Sequence, residues 1–444
     1  MRLLTTISIV LGLSGLADAN PKKPPAQKPP DPKAAPAADA APAAAPAPAA
    51  RKPKDDFEAA VFFFQDTDRA GWSNDKCDAA ADKFLSAGKG KRAEAFFNAG
   101  VALERCGKYG DAEKDYRKAI DLNPNHGPTL AALGELALRN GKVQDAQQLF
   151  DKAIKNDSNR EVTAAYTNLA WMQYQQIRQT TVAATRQQLE ATALTNLQRC
   201  LAIDNDNVVA YTIMALLYME GADKNRNRLD LAELLINEAM KRNSRSAALW
   251  NASGLLKMKR NNVAKALEDF RQAATNDPRL AEARMNIGQI VLSSRNYDEA
   301  ETQFREVLKL HKNDYAALIG LGVALRGQAT VLRAAGQLDK FAKKIDESED
   351  SYRQAMDVDK NRGDAYYNLG LLYKDYRTND PDQSKNIGQY RKAKQFFQDY
   401  LARADKADPK RDEAQGHIGD CDKYVEILSQ ATSGSTVSGG SAKH

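Results

Sequence analysis

The sequence predicts an all-α fold: a right-handed α-solenoid of about eight helix pairs, with a degenerate N-terminal unit and a C-terminal capping helix. Three observations predict it. Amphipathic helical stretches return at a spacing of about 34 residues. Each pair breaks at a glycine or polar turn, as at Gly107 and Gly110, and small residues recur at fixed register positions. One helix pair cannot bury its apolar face alone, so stacked pairs must share a continuous core.

Residues 1–19, MRLLTTISIVLGLSGLADA, read as a secretory signal peptide: one basic residue, an apolar run from Leu3 to Leu16, then Ala17-Asp18-Ala19 as a cleavage site. The run is short for a membrane span, and no other stretch in the sequence is read as one. The expected mature chain begins at Asn20. An uncleaved anchor is the alternative. The first cysteine is Cys77, so no lipid-attachment cysteine follows the signal.

Residues 20–54 hold 11 of the 16 prolines and a net charge of +5. Such a Pro/Ala/Lys composition builds no core and favours extended polyproline II, so the segment is read as a disordered linker that reaches roughly 110 Å at about 3.1 Å per residue. Its lysines either touch a cell wall or membrane surface weakly or are merely solvated. Residues 55–444 carry only +1. A folded body without a basic stripe argues against nucleic acid as a partner.

Residues 55–92 read as a degenerate unit, with Ala80, Phe84 and Ala87 in the second-helix frame. The array proper runs over 93–411. With Ala93 as position 1, Phe96 stands at position 4, Ala99 and Gly100 at 7 and 8, Leu103 at 11, Ala112 at 20, Tyr116 at 24, Ala119 at 27 and Pro124 at 32. The pattern returns as Leu130, Gly134, Ala146, Phe150 and Ala153, then as Trp250, Gly254, Ala266, Phe270, Ala273 and Pro278. Further copies start near Thr163, Val208, Ala281, Tyr315 and Gly363. Those at 163, 208, 315 and 363 carry insertions between their two helices, which predicts longer helices or loops there. Residues 412–430 read as the capping helix and 431–444 as a flexible tail.

This pattern resembles the tetratricopeptide repeat, in which helix A carries positions 4, 7, 8 and 11 and helix B carries 20, 24 and 27. The resemblance implies a protein-binding solenoid. In that family, positions 2, 5, 6, 9, 12 and 13 tend to line a concave groove, and Asn at position 6 commonly bonds the backbone of a bound extended segment. Here position 6 is Asn98, Asn168, Asn286 and Asn368. Their amides either serve a bound peptide or are satisfied by water and neighbouring helices. Trp171 and Tyr174 in the third repeat, Ile213 and Leu216 in the fourth, Leu255 in the fifth and Met285 in the sixth stand on the same predicted face. They read either as an exposed binding patch or as core.

Catalytic and metal-binding constellations are missing from the sequence. His126, His311, His417 and His444 have no second ligand at metal spacing, and SAGKGKR at 86–92 lacks the phosphate-loop spacing. No cofactor is expected, and the chain is read as non-enzymatic. Cys77 at the start of one helix and Cys106 at the end of the next fall within reach of each other if the helices pack antiparallel. They either form a disulfide, which an oxidising compartment would preserve, or are two buried thiols.

The signal, the linker and the stretch FFFQDTDRAGWSNDKCDAAADKF at 62–84 are together similar to tetratricopeptide proteins of the myxobacterial adventurous gliding motility apparatus. That likeness implies export to the periplasm of a Gram-negative cell, association with the outer membrane, and partners that are envelope proteins or extended peptide segments. A scaffold organising a multiprotein complex is the first expectation. A carrier that captures polypeptides during outer-membrane or pilus assembly is the second.

Overall fold

The computed structural model describes residues 52–155, 162–222 and 225–437; the signal peptide, all but the end of the linker, and residues 438–444 lie outside them. Nineteen α-helices make up the described secondary structure. They fall into two compact units that divide after Asp223.

The first unit contains α1 (Asp56–Ala70), α2 (Asn74–Gly88), α3 (Ala93–Glu104), α4 (Tyr109–Leu122), α5 (Gly127–Arg139), α6 (Val143–Lys155), α7 (Thr163–Gln179), α8 (Ala183–Ile203) and α9 (Val208–Glu220). The second contains α10 (Asn227–Arg242), α11 (Ala247–Lys259), α12 (Val263–Asn276), α13 (Ala281–Ser293), α14 (Tyr297–Leu310), α15 (Tyr315–Ala334), α16 (Leu338–Val358), α17 (Asp364–Tyr376), α18 (Gln383–Arg403) and α19 (Lys410–Val437). Within each unit, helices pack chiefly on their neighbours in chain order, as the short connections between them require.

Small residues at position 20 let the backbones approach. Ala112, Ala146, Ala193, Ala232, Ala266, Ala300, Ser348 and Ala393 are all fully buried. Where this position is Ser348, its hydroxyl donates to the Gly322 carbonyl at 2.8 Å, so the polar atom is not stranded in the core. The turn between the two helices of a pair has its own signature at position 15. Gly107 and Gly141 take φ +73°, and Asn261 and Arg295 take φ 59° and 61° at the same place. A left-handed residue is what lets the first helix end and the second begin within a few residues.

The insertions are absorbed mainly as helix. α7 has 17 residues, α15 has 20, and α8, α16 and α18 have 21 each. At the C-terminus, α19 runs on through residues 431–437, which the sequence reading assigned to the tail. α15 also departs from expectation. By length and apolarity it could cross a membrane, although the sequence reading found no such stretch beyond the signal, and half of its most apolar window is buried inside the fold. That burial is what a first helix of a repeat needs, since it packs on α14, α16, α13 and α17.

Candidate protein-binding surface

The first helix of each repeat carries positions 5, 6, 9 and 12, where the sequence places its candidate residues. Of the four asparagines, Asn98 on α3 is half-buried. The other three are buried, and each uses at least one amide N–H within the fold. Asn168 Nδ2 donates to Glu135 Oε1 at 2.8 Å and to the Ala164 carbonyl at 3.0 Å. Asn286 Nδ2 donates to Asn251 Oδ1 at 2.9 Å on the preceding first helix. Asn368 Nδ2 returns to the Asp364 carbonyl of its own helix at 2.9 Å. Asn168 and Asn286 tie successive first helices together, and Asn368 is held by its own helix.

The predicted exposed apolar patch is interior. Trp171, Tyr174, Ile213, Leu216 and Met285 are each at most 7% exposed. Leu255 alone of the apolar set keeps partial exposure, packed at the edge of the cluster around Phe270, Met285 and Phe304. The reason around Trp171 is local. Its ring lies 5.2 Å from that of Tyr174, and the Tyr174 hydroxyl donates to Glu220 Oε1 at 3.3 Å. Arg186, from the inserted first turn of α8, donates to the Ile177 and Thr180 carbonyls at 2.6 and 3.2 Å and approaches Glu220 Oε2 at 4.0 Å. Arg178 stands 3.6 Å from Glu220 as well. Burial and the Glu220 charge push the Tyr174 phenol well above its ordinary range, so it stays a neutral donor.

Partial exposure along the first helices belongs to other residues. Phe97 and Val101 on α3, Ile319 and Val323 on α15 and Leu371 on α17 stand at positions 5 and 9 and are half-buried, like Leu255. A side chain of that kind is anchored by its own core and still presents carbon to whatever lies against the face.

Polar groups on the same face were missed by the sequence reading. Glu104 at the end of α3 accepts from the Tyr116 hydroxyl at 3.0 Å, and Glu135 on α5 accepts from Asn168. Both are half-buried. Burial, reinforced by the Glu104 charge, raises the Glu135 carboxyl to about 7, and burial raises Glu104 too. The available signal was their placement at positions 12 and 9 of successive repeats.

Cys77 at the start of α2 and Cys106 after α3 are joined by a disulfide, with Cα atoms 6.3 Å apart. Cys200 and Cys421 are buried free thiols whose burial raises them to about 12 and about 11. Neither can supply a thiolate near neutrality. Among the described residues, no group of three or more His, Cys, Asp or Glu is arranged to hold a metal ion.

Family models described as "Tetratricopeptide repeat" match residues 93–126, 115–148, and 251–300 with 285–344. No curated protein matches the chain. Among solved structures, a tetratricopeptide repeat protein from Parabacteroides merdae is 17% identical, over 61% of this chain and 99% of that one, with a TM-score of 0.43. YrrB, a TPR protein with an unusual peptide-binding site, is 18% identical over 45% and 91%, with a TM-score of 0.35. The pilF protein of Pseudomonas aeruginosa is 16% identical over 54% and 95%, with a TM-score of 0.38.

Proposed function

We propose that this chain, a tetratricopeptide repeat protein, is a non-enzymatic scaffold of the cell envelope that organises a multiprotein complex by holding polypeptide segments against its first helices. The observation that carries this reading is the repeated set of half-buried apolar side chains, Phe97, Val101, Leu255, Ile319, Val323 and Leu371, at positions 5 and 9. Each exposes a limited carbon surface on a rigid helix, and rigid apolar anchors are what protein interfaces use most effectively.

Export to the periplasm of a Gram-negative cell is part of the proposal. Its supports are the signal-like first 19 residues and the Cys77–Cys106 bridge, since such bonds persist in oxidising compartments. The gliding motility apparatus is the machine that the layout of signal, linker and residues 62–84 resembles, and we propose it as the first complex to examine.

Mild crosslinking in cells followed by purification tests the reading. A scaffold returns a small set of partners in fixed ratios, and Val101→Asp with Val323→Asp removes them while the helical signal holds. Many partners in low and variable amounts would replace the scaffold by a carrier of passing polypeptides. Recovery of the chain from the cytoplasm with Met1 intact would end the envelope assignment.

A further inference from the structure

Glu104, Glu135 and Asn168 form a row of acceptors across α3, α5 and α7, three successive first helices of one unit. The row is only partly filled. Glu104 receives the Tyr116 hydroxyl, and Glu135 receives one N–H of Asn168. The second N–H of that amide goes to the Ala164 carbonyl, which fixes the orientation of the amide and leaves Oδ1 facing no donor. Asn168 is only 3% exposed, so an acceptor left without a donor there is costly. Glu104 and Glu135 are each half-buried as residues.

The charges facing the row do not close it. Arg105 stands 3.5 Å from Asp68 and lies over the Phe64 ring. The Arg139 guanidinium is stacked 3.8 Å from the centre of the Tyr109 ring. Both arginines draw Glu104 toward ionisation, and Arg139 does the same for Glu135, yet burial outweighs them. The Tyr116 phenol is pushed well above its ordinary range and stays neutral. Burial thus disfavours the charged form of both carboxyls, and a cation brought against them would favour it.

We propose that Glu104, Glu135 and Asn168 Oδ1 form a receptor for the ammonium group of a lysine side chain on a bound polypeptide. An ammonium carries three donors and no acceptor, which matches two carboxylates and one unfilled amide oxygen. Its compact head also suits a row set between helices better than the planar fork of arginine. The inference rests on the first helices being a polypeptide-binding face, and it adds what the partner must carry.

The test uses the whole chain and n-butylammonium, the end of a lysine side chain, with tetramethylammonium at equal ionic strength as the control. The Glu135 carboxyl is followed by carbon NMR through a pH titration and assigned with Glu135→Gln. Butylammonium is expected to lower the Glu135 midpoint, and its affinity to fall about tenfold for each pH unit below that midpoint. Glu104→Gln is expected to weaken this response with the fold retained by circular dichroism. Tetramethylammonium has no N–H donor and should leave the midpoint in place. Equal shifts from both ions, or none from either, would overturn the proposal and leave the pair as an internal proton-sharing contact. That failure would not touch the partners recovered by crosslinking. Failure of crosslinking to recover any fixed set of partners, with the ammonium response intact, would instead sink the scaffold reading.

Discussion

A β-carbon placed on Gly254 of α11 would lie 2.6 Å from Cε1 of Phe270 on α12. The same pairing of positions 8 and 24 recurs as Gly100 with Tyr116, Gly134 with Phe150, Gly288 with Phe304 and Gly370 with Phe397. Where position 24 is the smaller Leu197, position 8 is Ala170. The two positions share one volume, which is the close-packing rule applied within each repeat.

Gly254→Ala is therefore expected to overpack the pair and lower stability by about 1–3 kcal/mol. Phe270→Leu alone should also destabilise, through a cavity. Combined, the two should cost less than the sum of the singles, because each relieves the other. Chemical denaturation of the four proteins checks this, and strict additivity would show that the two side chains do not share space.

Arg295 holds φ 61° where Gly107 and Gly141 occupy the same turn. A residue with a β-carbon is strained at this angle, and glycine is not. Arg295→Gly should stabilise the chain by about 1 kcal/mol after the added flexibility of the unfolded chain is set against the relief. A lower melting temperature would mean that the arginine side chain contributes more than its backbone costs.

The Cys77–Cys106 bridge closes a loop with a sequence separation of 29. By the loop-entropy relation, reducing it should lower stability by about 3–4 kcal/mol. Mass spectrometry of the unreduced, alkylated protein should show these two cysteines protected and Cys200 and Cys421 modified only after unfolding. Alkylation of Cys77 and Cys106 before reduction would exclude the bridge in the isolated protein.

Trp171 is buried beside Tyr174. Trp171→Ala should cost about 3–5 kcal/mol of stability through cavity formation. Equilibrium unfolding measures it directly. An unchanged melting temperature with weakened partner binding would return this tryptophan to an open face.

What the sequence carried well and what it did not differ in physical origin. The helix pairs and the buried Ala112, Ala146, Ala266 and Ala300 were legible because the same steric requirement is written into repeat after repeat. The setting of Tyr174 beside Trp171 was not, because it includes Glu220 arriving from α9 and Arg186 from an insertion folding back to the end of α7. Neither contact belongs to the 34-residue pattern. The asparagines show the same limit. Position 6 was read correctly as a place for Asn, but whether its amide meets a ligand or Glu135, Asn251 and Asp364 is decided by neighbouring turns and helices.

Glu282, in the first turn of α13, is 5% exposed, and burial together with the nearby Asp277 and Asp314 raises its carboxyl from 4.5 to about 7. The folded chain thus binds a proton here more tightly than the unfolded chain does. Stability from this group is fully present below the unfolded value near 4.5. It is lost as the pH rises through about 7 and stays lost above that. A shift of this size corresponds to about 3 kcal/mol as an order of magnitude. Glu282→Gln keeps the shape and removes the ionisation. The variant should match the parent near pH 4 and exceed it in stability at pH 8, with the difference opening between those limits. Urea unfolding at a series of pH values reads the effect, and parallel curves for the two proteins would show that Glu282 ionises in the folded chain as easily as in the unfolded one.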